Sequence, residues 1–136
     1  MKKIVFACVH NAGRSQIAAG WARHLAGGRL EVVSAGTQPG PHLNLQVVEA
    51  MREVGIDLGG VQPQLLTPEL ARAADYIVTM GCGESCTVIP GVKRLDWPIT
   101  DTRGQPLEVV RAIRDQIHDL VFDLLRSEGV LDPASR

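Results

Sequence analysis

Aromatic residues are scarce in this chain, at 4% of 136 positions, so any core must be built from Val, Ile, Leu and Ala. Long apolar runs are missing as well. None approaches the ~20 residues that span a bilayer, and the apolar stretch after Met1-Lys2-Lys3 meets polar residues from Cys8 on, too soon for the core of a signal peptide. An excess of basic charge is absent: 14 Lys and Arg stand against 15 Asp and Glu, for a net charge of −1. That balance argues against nucleic acid as a partner. The four histidines show no metal-ligand spacing, so no metal and no organic cofactor are expected. Membrane partners are likewise excluded, and a cytoplasmic monomer is the expectation. What remains is an ordinary globular balance, 45% hydrophobic and 21% charged, with the length of one domain over residues 1–136.

The apolar pattern alternates between short β-rich runs and helical periods. Lys3 to Ala7 reads as a buried strand, and Cys8 to Gly13 as a loop. Ile17, Ala18, Trp21 and Leu25 recur at helical spacing between Arg14 and Ala26, where Gly27-Gly28 stops the helix. Leu30 to Ser34 reads as a second strand, ended by Ala35-Gly36. Asn44 caps a helix to about Val54, and residues 55–66 are irregular. Thr67-Pro68-Glu69 starts another helix, with a capping hydroxyl, a first-turn proline and an acid favoured by the helix dipole. Asp75 to Met80 and Lys93 to Asp96 are the third and fourth strands. Pro106 opens a long helix whose face is Val110, Ile113, Ile117, Leu120, Val121 and Leu124, and the tail from Gly129 is expected to fray. This alternation implies an α/β fold of three layers, a central four-stranded parallel sheet flanked by helices. The loops after Cys8, after Gly81 and around Asp101 would meet at one sheet edge.

Three cysteines in a reducing compartment read as reactive thiols rather than a structural framework. Cys8-Val9-His10-Asn11-Ala12-Gly13-Arg14-Ser15 spells C-x5-R-S between a strand and a helix. A loop around a tetrahedral anion turns successive N–H groups inward, and the following helix adds its positive end. Arg14 offers a planar fork of donors to two oxygens. The same surroundings favour the thiolate of Cys8, which is the attacking form. Ser15 can donate to that sulfur, Gly13 permits close approach of the backbone, and Asn11 braces the loop.

These residues resemble the low-molecular-weight protein tyrosine phosphatase superfamily, which includes the thioredoxin-coupled arsenate reductases. The likeness continues through Ser34-Ala35-Gly36-Thr37, through Val78 to Cys82, and from Asp96-Trp97 to Asp101. It implies a phosphatase-like fold and an oxyanion-binding loop of Val9 to Ser15. Cys8 becomes the nucleophile, Arg14 the anion clamp and Asp101 the general acid, with Asp96 as its competitor. Proline commonly follows that acid; here Thr102 follows, which predicts a looser loop. Cys82 and Cys86, in Gly81-Cys82-Gly83-Glu84-Ser85-Cys86, resemble the redox loop of the arsenate reductases. That implies arsenate as substrate, a Cys8/Cys82/Cys86 disulfide cascade, and thioredoxin or a similar thiol as reductant. Some relatives hold potassium beside the loop, but Ala19 stands where an acidic ligand is expected. The alternatives are a phosphatase using Cys8, Arg14 and Asp101, a non-catalytic oxyanion binder, and a reductase resolved by a small thiol. Trp97 is the one clear aromatic candidate to grip a phosphotyrosine ring.

Overall fold

Strand β1 (Lys3–Cys8) is buried on both faces beyond its first residue, the signature of a central strand. Its side chains alternate: Ile4, Phe6 and Cys8 join one apolar cluster, while Val5 and Ala7 join another on the opposite face. The structure is a computed structural model and describes residues 1–82 and 89–135. Strands β2 (Glu31–Gly36) and β3 (Tyr76–Thr79) flank β1, and β4 (Lys93–Asp96) lies outside β3. All pairings are parallel, in the order β2-β1-β3-β4. The expected α/β architecture is therefore present. The order reverses at β1, so the crevice beyond the carboxyl ends of β1 and β3 is the place for a ligand.

Helices α1 (Arg14–Ala26), α2 (Leu45–Glu53) and α4 (Leu107–Ser127) cover one face and share the larger cluster with Ile4 and Phe6. Helix α3 (Pro68–Arg72) is only five residues long and covers the other face through Ala71. Local chemistry sets these boundaries. Asn44 accepts from the amide of Gln46, and Thr67 accepts from that of Leu70, each satisfying an orphan donor at a helix start. Gly27 closes α1 in the left-handed region at φ 56°.

Three expectations need adjustment. Cys8 is the last residue of β1 rather than the first of the loop, and β2 runs on through Ala35 and Gly36, because these pair with Ala7 and Cys8. The core face of α4 includes Leu125, whereas Leu120 and Leu124 are half-buried. The tail folds back instead of fraying. Leu131 is 8% exposed, the Asp132 amide donates to the Leu25 carbonyl at 2.8 Å, and Pro133–Ser135 form a 3-10 turn. No helix among the described residues is long and apolar enough to cross a membrane.

Candidate active site

Cys8 ends the central strand and is 2% exposed, and the chain then turns sharply into α1. The turn is held from outside. The carbonyls of Cys8, Val9, His10 and Ala12 accept from the amides of Thr37, Gln38, Gly40 and Asn44, at 2.8–3.2 Å. Carbonyls spent outward are the geometry in which loop amides turn inward. Helix α1 begins at Arg14 with Gly13 as its cap, which supplies no side-chain acceptor, so its positive end stays uncapped beside the loop.

Asn11 is the pivot. It is wholly buried and adopts φ 53°, a conformation that asparagine tolerates better than most residues. Its Oδ1 accepts from the Gln64 amide (3.0 Å) and from Gln16 Nε2 (3.1 Å). A backbone amide can only donate, so it fixes the orientation of the Asn11 side chain. Asn11 Nδ2 therefore donates to Ser15 Oγ at 2.7 Å. The Ser15 hydroxyl keeps its own proton and can donate it to Cys8 Sγ, 2.9 Å away.

Arg14 is nearly buried. Its Nη1 donates to the Ile99 carbonyl (3.1 Å), and its Nη2 lies 3.7 Å from Asp101 Oδ2. Gly81 backs the guanidinium so closely that a Cβ there would sit 2.1 Å from Nη1. Asp101 is half exposed and accepts from the Arg103 amide at 3.0 Å, a local turn. Thr102, in the position where proline was expected, is buried. Its carbonyl accepts from Asn44 Nδ2 (3.3 Å) and from the Gln105 amide (3.2 Å), so hydrogen bonds pin this loop where a ring would have. Gly13 is also tied to this position, since a Cβ on it would meet Thr102 Oγ1 at 2.1 Å.

Cys8, Arg14 and Asp101 line one cavity of about 380 Å³, together with His10, Ala12, Gly13, His42, Asn44, Thr102 and Arg103. Asp96 stands outside it. The Thr79 hydroxyl and then Arg94 hold its carboxyl below the usual carboxylate range, which keeps it ionised. Trp97 packs against Phe6, with ring centroids 6.1 Å apart, and does not line the cavity. Cys82 does not line the cavity. It is 6% exposed in the smaller cluster on the other face of the sheet, and it is disulfide-bonded, whereas Cys8 is free. Cys86 lies outside the described residues. Ala19 is fully buried and gives no side-chain oxygen, so the residues present do not fit the potassium ion that the resemblance raised.

Sequence reasoning passed over Gln64, Gln16 and Arg103. Only Arg103 carried a local signal, the Asp-x-Arg spacing of an aspartate-led turn. Gln64 reaches Asn11 from 53 residues away and Gln16 from five, and no motif encodes either contact.

A parallel α/β sheet with a thiol and an arginine at its switch point defines a class of cysteine-dependent, oxyanion-binding folds. Residues 3–127 match the low molecular weight phosphotyrosine protein phosphatase family, and the chain belongs to it. Among its relatives, arsenate reductase 2 of Staphylococcus saprophyticus is 36% identical over 85% of this chain and 90% of that protein. A thioredoxin-dependent arsenate reductase of Corynebacterium glutamicum superposes with a TM-score of 0.82 at 38% identity, over 93% of this chain. This chain spans 61% of that longer protein. An arsenate reductase in a phosphate-binding state superposes with a TM-score of 0.83 at 32% identity, over 93% of this chain and 98% of that one.

Proposed function

We propose that this chain reduces arsenate to arsenite, with Cys8 as nucleophile and a thiol cascade through Cys82 and Cys86. The observation that carries the reading is the polarised chain from the Gln64 amide through Asn11 and Ser15 to Cys8 Sγ, beside Arg14 and Asp101. A sulfur that receives a hydrogen bond is stabilised as the thiolate. The amides of Val9 to Ser15 and the fork of Arg14 take the oxyanion. The thiolate attacks arsenic while protonated Asp101 gives its proton to the departing oxygen, leaving a Cys8–arsenic bond. Cys82 then attacks Cys8 Sγ. The electron pair of the sulfur–arsenic bond stays on arsenic, arsenite departs, and a Cys8–Cys82 disulfide remains. Cys86 attacks Cys82, Cys8 returns as a thiolate, and an external dithiol, thioredoxin, reduces the Cys82–Cys86 disulfide. A disulfide at Cys82 beside a free Cys8 is what the last intramolecular step leaves. All these groups come from one copy of the chain, in keeping with a monomer acting in the cytoplasm.

Two observations favour this reading over a phosphotyrosine phosphatase. Trp97 is committed to the core, and the cavity lining holds no Phe, Tyr or Trp. Acting as a phosphatase would need only Cys8, Arg14 and Asp101, and residual activity of that kind is expected. The test is arsenite production with thioredoxin, thioredoxin reductase and NADPH, run in parallel with small thiols. Cys8→Ser should be inactive with every reductant. Cys82→Ser and Cys86→Ser should lose repeated turnover with thioredoxin, and mass spectrometry should trap a Cys8–Cys82 disulfide in Cys86→Ser. Sustained thioredoxin-driven turnover in both single variants would rule the cascade out.

A further inference from the structure

Arg103 lines the cavity that holds Cys8, yet the proposed reaction gives it no part. Its Nη1 lies 2.6 Å from His10 Nε2. A guanidinium has only donors, so Nε2 must be an unprotonated acceptor. The ring proton then sits on Nδ1, which donates to the Gln38 carbonyl at 3.1 Å. His10 is therefore a neutral strut, anchored by Gln38, that holds a cation. The bridge joins the loop after β1 to the loop after β4, so it crosses the mouth of the cavity.

Arg103 keeps its charge uncompensated. Among the described residues its guanidinium pairs with no carboxylate, whereas Arg14, Arg29, Arg94, Arg111 and Arg114 all do. Its own amide meanwhile fixes Asp101 Oδ1, so Arg103 and Asp101 face the same space. Ordering a long cationic side chain beside a neutral partner costs conformational entropy and returns little without an anion.

We infer that Arg103, held by His10, is a specificity-determining residue that reads the outward oxygen of a free tetrahedral oxyanion and so favours inorganic arsenate or phosphate over a phosphate monoester. The inference rests on the Cys8 loop being the anion site. With the attacking sulfur beneath the central atom, three oxygens meet the loop amides and Arg14, and the fourth substituent points to the mouth. In an inorganic oxyanion that substituent is an oxygen able to accept from Arg103. In a monoester it is a weakly accepting ester oxygen, and its carbon group must pass the Arg103–His10 bridge.

Titration calorimetry with inorganic phosphate and with phenyl phosphate tests this without requiring turnover. Arg103→Leu should weaken inorganic phosphate about tenfold or more, the loss of one hydrogen bond between charged groups, and should weaken phenyl phosphate far less. His10→Phe should reproduce most of that loss, and His10→Gln, which restores an acceptor, should recover part of it. Circular dichroism checks that each variant is folded. An unchanged phosphate affinity in Arg103→Leu, a parallel weakening of both anions, or unaltered discrimination in His10→Phe overturns the role of Arg103 alone. Wild-type protein that binds neither anion instead overturns the reading of the Cys8 loop, and this inference with it.

Discussion

The two described cysteines are rooted in opposite faces of the same sheet, and they are held very differently. Cys8 belongs to the larger cluster, under α1, α2 and α4, with Ser15 on its sulfur and four outward carbonyls fixing the turn behind it. Cys82 belongs to the smaller cluster, to which, among the described residues, only the five-residue helix α3 contributes. It follows Gly81, which turns the chain at φ 84° directly after Met80. A nucleophile benefits from being fixed against its anion site. In the proposed cascade a relay cysteine has to reach it, and the glycine pivot at Gly81 is a suitable place from which to start. The contrast fits the division of labour in the proposed cascade, one cysteine that stays and one that moves.

The largest expected effect tests the fixed side. Asp101→Asn keeps the turn to the Arg103 amide but removes the proposed proton donor. It should lower kcat about 10²–10⁴-fold while inorganic phosphate still binds. Asp96→Asn should cost much less, because Asp96 is already committed to Thr79 and Arg94. Steady-state kinetics on both variants decides the matter, and the reverse pattern would transfer the role to Asp96.

Gly81 is where the two sides touch, and its pairing with Gly91 sharpens the comparison. Both have nearly the same backbone, φ 84° and 85°, so alanine should strain each by roughly 1–2 kcal/mol. The added carbon strikes Arg14 at Gly81, whereas among the described residues nothing lies within 4 Å of a Cβ at Gly91. Gly81→Ala should therefore cost on the order of 10²-fold in kcat/KM through a displaced guanidinium. Gly91→Ala should show the stability loss with near-normal kinetics. Equal activities would mean that the contact with Arg14 has no consequence.

How far the sequence reveals this arrangement depends on the range over which a residue acts. The turn from β1 into α1 is legible because C-x5-R-S, the strand before it and the helix after it are contiguous. The starts of α2 and α3 are legible because Asn44 and Thr67 cap amides two or three residues away. The proposed general acid is reached only through the resemblance, and its loop is pinned by a hydrogen bond between Asn44 and Thr102, far apart in the chain. The His10–Arg103 bridge has no local trace, because the two residues are 93 positions apart. Strand alternation also cannot say which face Cys82 enters, since Gly81 breaks the extended backbone just before it. Leu131 lies two residues after Gly129 in a short tail that reads as frayed, yet a hydrogen bond from the Asp132 amide to the Leu25 carbonyl helps dock it.

The two faces should also differ in how much a lost side chain costs. Ile4 and Ile77 are both strand isoleucines with almost no exposure, one in each cluster. Truncating a buried isoleucine to alanine costs roughly 2–5 kcal/mol, and the value depends on how far the surroundings can collapse. Ile4→Ala, beneath three helices that brace one another, should lie near the top of that range. Ile77→Ala, on the face that the five-residue α3 covers, should lie near the bottom. Urea unfolding followed by circular dichroism gives both values, and equal losses would remove the distinction between a rigid face and a yielding one.

The smallest expected effect concerns the clamp that stiffens the Cys8 side. Glu53, at the end of α2, accepts from Arg111 Nη2 at 2.6 Å and from Arg114 Nη1 at 3.0 Å, joining α2 to α4. The Arg111 guanidinium foremost, and Arg114 with it, bring the Glu53 carboxyl from 4.5 down to about 2. A group whose folded value is depressed stabilises the fold above its unfolded value and loses that contribution as pH falls through the folded one. The clamp should therefore be fully present above about pH 4.5 and fade towards pH 2. The pair is solvent-accessible, so salt should weaken it as well. Thermal unfolding of wild type and Glu53→Gln at low ionic strength should show a small Tm gap at pH 6 that closes as the pH approaches 2. A gap that is constant over this range would mean that Glu53 contributes by packing rather than by charge.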